Sequence, residues 1–558
     1  MMTTPQIPLL HIQREFSREI SVEKEPPKYT FPFSEAYPQQ NEAVERLLRE
    51  DRAILEAPTG AGKTAVYLSA AFEGRCPEEC DYCEERWRCI GGTLIITPRN
   101  FLQDQVRRDY SDGSKFEIVE YRGREHYDCG LLLEAGVEKE LAKAKYAPCR
   151  RRERGFFEFR GKVYPYPCRD DCEYYTALRR AREVLRSGGF VVVNHGNFWV
   201  FKDAYRVIID EGDEILRSLV EAVTVSRPPE GESPQALKKV LEEEREHVLK
   251  RIELLEAELK KVDSESDEYR KLLDKIDRLE RRERKLSFFI ANADRAFYYQ
   301  KRGAHYVELL PDYERLLDRL FRRWWLVSAT PPRSLSVSKV SYTLPFRRLV
   351  FYTPVAKLTE QEIRRKGENE TLEKAARFIV TTFEKHKELF GANAAIVYSG
   401  NLHHHGKYFA ECLKDSYNVV FHKEGKLEET IERFKEELSR GRTFLVAVGI
   451  EYGGDFKDIP LLFVTKVPYS PMNERLRALE KKLGRDRFKE FYEWDALSKL
   501  VQVCGRVQRE PDSKGVTYIL DAKFGELYEK WKDKLPVWFK ERLVMPDGGA
   551  SGEAEATA

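Results

Sequence analysis

The sequence predicts an α/β protein with two parallel-sheet lobes. Two observations carry this. Short, continuous apolar runs bounded by turn residues occur in two blocks along the 558 residues, each alternating with helical stretches. A glycine-rich loop also sits between the first of these runs and a helix. Runs without polar alternation imply strands buried on both faces, as in a parallel sheet.

The first block holds Gly92–Pro98, Phe116–Tyr121, Phe190–His195, Arg206–Glu211 and Trp324–Thr330. The second holds Leu349–Thr353, Ala394–Gly400, Tyr417–His422, Thr443–Gly449, Leu461–Val467 and Val516–Ala522. Two stretches interrupt the first block. Residues 121–175 are rich in Arg, aromatics and Cys. Residues 233–300 have a helical period and dense charge, with a turn at Ser264–Asp267, which predicts an antiparallel helical hairpin. By itself such a hairpin is a solvated structural element, and over a channel it would be a gate.

The expected organisation is therefore an N-terminal extension (1–30) and a first lobe in pieces (31–120, 176–214 and 312–335). Inserts at 75–91, 121–175 and 215–311 separate the pieces. A second lobe (336–545) and a disordered tail (546–558) follow.

Hydrophobic residues make up 42%, which favours a globular chain over a disordered one. The 96 basic residues nearly cancel the 94 acidic ones, so bulk charge gives no case for a polyanionic partner. Any such partner must find a local groove, because salt screens beyond about 8 Å. No apolar run is long enough to span a bilayer, and Met1–Ile20 lacks a secretory pattern, so a cytoplasmic protein without a membrane partner is expected. In that compartment the ten cysteines are metal ligands before they are disulfides.

Ala57-Pro58-Thr59-Gly60-Ala61-Gly62-Lys63-Thr64 follows the expected strand Ala53–Leu55 and opens a helix. Phosphates need unobstructed backbone N–H groups, which glycine supplies. Thr59, Gly60, Ala61 and Gly62 form the cradle, Lys63 reaches the β- and γ-phosphates, and Thr64 holds Mg²⁺. Asp210-Glu211 end a strand, at the edge where α/β sheets bind ligands. Asp210 is expected on Mg²⁺ and Glu211 on the attacking water of ATP hydrolysis. Gln502-Val503-Cys504-Gly505-Arg506-Val507-Gln508-Arg509 supplies two guanidiniums three residues apart. On a helix these share a face and can clamp a γ-phosphate across a cleft. Taken alone, that segment is an ordinary basic helix.

In this order the motifs APTGAGKT, DEGD, SAT and QVCGRVQR resemble those of superfamily 2 helicases, and finer features resemble the XPD/DinG group. The resemblance runs from about Phe31 to Phe524 and implies two RecA-like lobes, with an iron–sulfur insert and an arch-like helical insert in the first. Tyr37-Pro38-Gln39-Gln40 is similar to the adenine-side motif, where Gln40 would read the base. Thr97-Pro98-Arg99 with Gln105 resembles a strand-contacting motif. Val192–His195 matches the segment before the acidic pair, and Ser328-Ala329-Thr330 the motif that couples hydrolysis to movement. Asp512, Gly515 and Asp521 recur after the arginines. Gly449–Phe456 looks like the E-G-x-D-F motif, which places Asp455 at the nucleotide. Ala57 replaces the Gly of the simplest phosphate-loop pattern, as is common in superfamily 2, and the chain departs from the family at Gly212, Asp213 and Tyr452.

Cys129, Cys149, Cys168 and Cys172 lie in the 121–175 insert, with a lead-in (Tyr121–Cys129) that resembles the family's approach to its first cluster ligand. Four thiolates suit a [4Fe–4S] cluster, with Zn²⁺ as the alternative, pinning an insert expected to have no core of its own. Cys76, Cys80, Cys83 and Cys89 form a second set, spaced to wrap one metal, Zn²⁺ first and iron–sulfur next. Cys76–Cys83 also fits a radical-SAM spacing, but the surrounding phosphate-loop features oppose a β/α barrel.

The resemblance implies an ATP-dependent helicase on single-stranded or forked DNA, moving 5′ to 3′ and associated with repair. RNA is left open as the strand, and the hairpin is a candidate protein-docking element. The competing function class is an ATP-gated nucleic-acid adaptor that does not unwind. His403-His404-His405 are expected to open a helix, Trp324 and Trp325 to pack a strand, and Cys412 and Cys504 to be buried thiols.

Overall fold

The computed structural model describes residues 6–20, 23–75, 90–111, 115–151, 155–168, 170–201, 203–358, 368–422, 427–450, 456, 458–508 and 510–546. In chain order, β1 (Arg52–Glu56), β2 (Ile90–Thr97) and β3 (Ile118–Tyr121) precede a small hairpin, β4 (Phe156–Phe159) and β5 (Lys162–Pro165). Then come β6 (Phe190–Asn194), β7 (Ala204–Ile209) and β8 (Val223–Val225). After two long helices follow β9 (Ala296–Lys301), β10 (Ala304–Leu309), β11 (Trp324–Ser328) and β12 (Ser338–Ser341). Lobe 2 contributes β13 (Val350–Ala356), β14 (Ala394–Tyr398), β15 (Asn418–Phe421), β16 (Thr443–Ala447), β17 (Leu461–Val464), β18 (Val516–Asp521) and β19 (Leu543–Val544).

Lobe 1 is the seven-stranded parallel sheet β12-β1-β11-β7-β2-β6-β3, and lobe 2 the seven-stranded parallel sheet β15-β16-β14-β17-β18-β13-β19. The strands carry unbroken apolar runs because both faces are covered. In β7, Val207 and Ile209 enter one core layer and Ile208 the other. In β16, Leu445 and Ala447 face one layer, Phe444 and Val446 the opposite one. Trp324 and Trp325 are fully buried, as expected of strand-packing residues.

The order in lobe 1 fixes the site. β11 lies between β1 and β7, so the segments leaving the C-terminal ends of these three neighbours share one edge. Those segments are the phosphate loop, the Asp210-Glu211 pair and the Ser328–Thr330 motif.

The hairpin helices are Pro234–Leu259 and Asp267–Ala291, the second capped by Ser266, whose hydroxyl accepts from the Tyr269 N–H. Between them lies an apolar seam that includes Leu255, Leu259, Tyr269, Leu272 and Ile276. At its base sits a three-stranded antiparallel sheet, β8-β10-β9, that the sequence reading did not anticipate. This sheet meets lobe 2 through Phe297, Tyr299, Leu310, Leu476, Leu479 and Phe488. The Arg475 Nε–H is also shared between the two carboxylate oxygens of the buried Glu308, at 2.9 and 2.7 Å.

The Cys-rich insert has a small core of its own, which corrects the expectation that it lacks one. Leu131, Leu132, Ala142, Ala147, Phe157 and Phe159 pack around Cys129. The N-terminal helix Leu9–Ser17 docks on lobe 2, with Ile12 buried there and Arg347 donating to the Arg18 carbonyl at 2.8 Å. Cys504 is buried as expected, whereas Cys412 is exposed on a short helix at the surface of lobe 2. The three histidines fall in a π-helical turn, Leu402–Gly406, that opens the next helix. Among the described residues no helix is long and apolar enough to cross a membrane.

His386 is buried in lobe 2 with its Nε2 2.8 Å from the Tyr518 hydroxyl, and burial lowers its pKa to about 4. The folded state therefore binds fewer protons than the unfolded state between about pH 6.5 and 4, and stability must fall as the pH drops through that window. A shift of this size corresponds to roughly 3 kcal/mol. Denaturant unfolding across that range should show the loss, and His386→Gln should flatten the slope. An unchanged slope in that variant would remove His386 as the cause.

Candidate active site

The phosphate loop leaves β1 and enters the helix Lys63–Glu73, with Gly60 and Gly62 at φ +83° and +77°. Only glycine adopts these angles without strain. The loop is held from two sides. Gln40 Nε2 donates to the Ala61 carbonyl at 2.9 Å, and the Tyr342 hydroxyl donates to the same oxygen at 3.0 Å. Gln40 Oε1 accepts from the Tyr37 N–H at 3.0 Å. Gln40 is therefore built against the phosphate loop, and Tyr342, just after β12, is a second clasp that no motif announced. Lys63 Nζ donates to the carbonyls of Ala57 and Pro58, both at 3.2 Å. Thr64 hydrogen-bonds the hydroxyls of Tyr67 and Tyr110.

Asp210 lies one residue past β7. Its carboxylate accepts from the Tyr67 hydroxyl at 3.3 Å and from the Glu211 N–H at 3.1 Å. Burial, followed by the Glu211 charge, pushes its pKa up to about 6, while Lys63 opposes the shift. A carboxylate so placed gains from a divalent cation that would restore its charged form. Glu211 itself has φ +49°, a left-handed conformation that costs about 1–2 kcal/mol for a side-chain-bearing residue. Strain of this kind concentrates where a side chain must be aimed.

The departures at Gly212 and Asp213 have physical reasons. A Cβ on Gly212 would lie 2.0 Å from Leu326 Cδ1, so the bulk of Leu326 on β11 replaces the missing methyl. Asp213 is buried and carries the link between the lobes. Its Oδ1 accepts from the Ser328 hydroxyl at 2.9 Å, and its Oδ2 from Gln502 Nε2 at 2.8 Å. Gln502 Nε2 also lies 2.7 Å from Thr330 Oγ1, and Trp538 Nε1 donates to the Ala329 carbonyl at 3.0 Å. Lobe 2 thus grips the Ser328–Thr330 motif at two points. Gln502 Oε1 is buried without a hydrogen-bond partner among the described residues.

The long lobe 2 helix ends at Cys504, and Arg506 stands in the turn beyond it. Gly505 caps the helix, so Arg506 stands past its end, and the expected helix face shared with Arg509 falls on a residue outside the described ones. A Cβ on Gly515 would lie 2.1 Å from the Val507 carbonyl, so this glycine lets the β18 approach press against the arginine turn. Asp521 accepts from the N–H groups of Leu358, Val467 and Lys523, a loop-tying role within lobe 2. Arg509, Tyr452 and Asp455 lie outside the described residues, as do Cys76, Cys80, Cys83 and Cys89.

Arg99 lies 3.5 Å from Glu214 and is partly exposed. Gln105 is exposed on the helix Asn100–Ser111, whereas Gln103, two residues earlier, is fully buried. Asn194 donates to Asn100 Oδ1 at 3.0 Å, so the Val192–His195 segment buttresses the Thr97–Arg99 turn.

Cys129, Cys149, Cys168 and Cys172 line one cavity of about 160 Å³, together with Arg124, Tyr166 and Tyr174. None is in a disulfide. Burial first, then the neighbouring Cys129, pushes the Cys149 thiol up to about 12, with Arg124 opposing. Among the described residues no three His, Cys, Asp or Glu side chains converge tightly enough for a single metal ion.

The sequence profile of a helicase C-terminal domain matches residues 399–542, and that of a DEAD/DEAH box helicase matches residues 37–127. The chain is an ATP-dependent superfamily 2 helicase. Its fold is XPD-like. A solved XPD helicase aligns over 91% of this chain and 98% of its own length, with a TM-score of 0.51 at 15% identity. S. tokodaii Xpd4 aligns over 91% and 98% with a TM-score of 0.46 at 14% identity. The DEAD-box helicase Mss116 bound to ssRNA aligns over 93% and 76% with a TM-score of 0.38 at 12% identity. No curated protein matches the helicase.

The Gly212–Leu326 contact gives a direct check. Gly212→Ala should destabilise lobe 1 by about 1–3 kcal/mol through overpacking. Combined with Leu326→Ala, it should cost less than the sum of the two single changes. Additive losses in chemical denaturation would mean the two positions do not compete for the same space.

Proposed function

We propose that this helicase uses ATP to move 5′ to 3′ along single-stranded DNA and to part the strands of a fork. The supporting observation is the hydrogen bond from Gln502 of lobe 2 to Asp213, two residues past Glu211. A carboxylate at the hydrolysis edge of lobe 1 is thereby joined to lobe 2, so a change at the phosphates can alter how the lobes sit.

In this reading the N–H groups of Thr59–Gly62 and Lys63 take the phosphates, and Glu211 orients the attacking water. Thr64 and Asp210 are the residues that would hold Mg²⁺, which supplies charge neutralisation at the phosphates. Arg506 reaches the γ-phosphate from lobe 2, and Arg509 and Asp455, outside the described residues, are assigned to the nucleotide on the resemblance alone. Gln40 sets the loop and presents its remaining N–H toward the base. Arg99 and Gln105 contact the strand. Polarity and the choice of DNA rest on the resemblance to the XPD/DinG group.

The residues of the insert fit an iron–sulfur cluster better than a single Zn²⁺. Four thiols share a cavity of about 160 Å³, roughly ten water-sized spheres, whereas thiolates at about 2.3 Å around one zinc leave no such space. A cluster there would pin the insert as a wedge. The hairpin leans on that insert through Lys145–Asp274 at 2.6 Å, Arg150–Asp277 at 2.5 Å and Arg160–Glu265 at 2.5 Å, which favours a gate over a free-standing spacer. For Cys76, Cys80, Cys83 and Cys89 the proposal is zinc, on their spacing alone.

ATP-driven unwinding of forks with a 5′ or a 3′ single-stranded tail tests the central reading. The 5′-tailed fork should open, and Lys63→Ala should lower turnover by about 100-fold or more. Strand binding without unwinding would instead identify an ATP-gated adaptor. In a parallel assay the protein should hold about four iron and four sulfide per chain, lost in Cys129→Ser but kept in Cys80→Ser. Zinc without sulfide at the first set would overturn the cluster assignment.

A further inference from the structure

Beside the lobe contact lies a cleft that no motif predicts. It comprises two adjoining cavities of about 500 and 510 Å³, which share Arg217, Pro311, Tyr313, Phe491 and Asp495. One wall is the inserted sheet, where Tyr306 of β10 is half-buried and stacks on Tyr299 at 5.1 Å and 11°. The other wall is the long helix Arg485–Cys504 of lobe 2. It presents Phe491, Tyr492 and Trp494, all half-buried, with Tyr492 stacked on Phe488 at 5.6 Å. Ala496, Leu497, Leu500 and Val501 serve the lobe 2 core, and the aromatics line the cleft.

The cations in the inner cavity each have a carboxylate beside them. Arg475 binds Glu308, Lys499 lies 2.6 Å from Asp495, and Arg217 lies 3.5 Å from the same Asp495. Such a cleft has little net attraction for phosphate. What it offers is flat aromatic surface on two facing walls, which suits unpaired bases.

We propose that this cleft is a nucleobase-stacking site for a single strand, with Phe491 and Tyr306 as its two platforms. The proposal rests on the helicase reading and deepens it. The helix that carries Phe491 continues to Gln502, about 16 Å further along, where Gln502 reaches Asp213 and Thr330. One rigid element therefore touches both the stacked base and the inter-lobe link. A base seated on Phe491 positions the helix, and the helix positions Gln502.

The test separates bases from backbone. Binding is measured for an oligothymidylate and for an abasic deoxyribose-phosphate oligomer of equal length, using the whole 558-residue chain. Wild type should prefer the oligothymidylate, and Phe491→Leu together with Tyr306→Leu should reduce that preference by about 5-fold or more. Abasic binding should be unchanged. Phe491→Tyr with Tyr306→Phe, which keeps both rings, should retain the preference and shows that ring loss, not misfolding, is the cause. If the Leu variant keeps the full preference, the cleft is not a base site. If neither oligomer binds wild type, the single-strand reading fails along with this one.

Discussion

A single buried carboxylate, Asp213, sets the relation between the two lobes. Removing a carboxylate from water is costly unless donors replace the lost hydration. Burial, together with the nearby Glu211 charge, pushes the Asp213 pKa up, and Arg217, Gln502 and Ser328 push back. One of these donors comes from β11 of its own lobe and another from the end of a lobe 2 helix. The carboxylate is well satisfied only when lobe 2 is in place. The cost of losing Gln502 is thus felt directly beside the Asp210-Glu211 pair, which makes the lobe arrangement and this sheet edge one energetic unit.

The rest of the architecture holds this contact in register. Trp538 fastens the Ser328–Thr330 motif from above, and the N-terminal helix docks on lobe 2 before the chain enters lobe 1. The inserted sheet makes a second seam with lobe 2 through an apolar cluster and the Glu308–Arg475 pair. Exposed ion pairs are each worth about 1 kcal/mol or less. The apolar seam and the buried carboxylates therefore carry most of the inter-lobe energy. The two inserts brace each other, so the Cys-rich element and the hairpin are tied by charge at three points.

Much of this was legible in the sequence. Doubly buried strands write themselves as unbroken apolar runs, and nearly every strand of both large sheets was located to within a few residues. Gly60 and Gly62 announced the phosphate loop because glycine takes their left-handed angles without strain. Three things were not legible. The role of Asp213 depends on Gln502, 289 residues away. The reason for Gly212 lies in Leu326, a packing fact with no local signature. The strands of the inserted sheet flank a charged helical stretch that masked them, although Arg302-Gly303, both with positive φ, marks a tight turn between two aromatic runs. The helix end before Arg506 was not legible either, because it is set by the Gly505 cap.

Asp213 and Gln502 must act as one unit if they couple the lobes. The most direct measurement is strand-stimulated ATP turnover in Asp213→Asn, in Gln502→Leu and in the double variant. If the pair is the link, each single change should abolish most of the stimulation and the double change should add little to either. Losses that multiply in the double variant would show that the two residues act independently and that the lobes are coupled elsewhere.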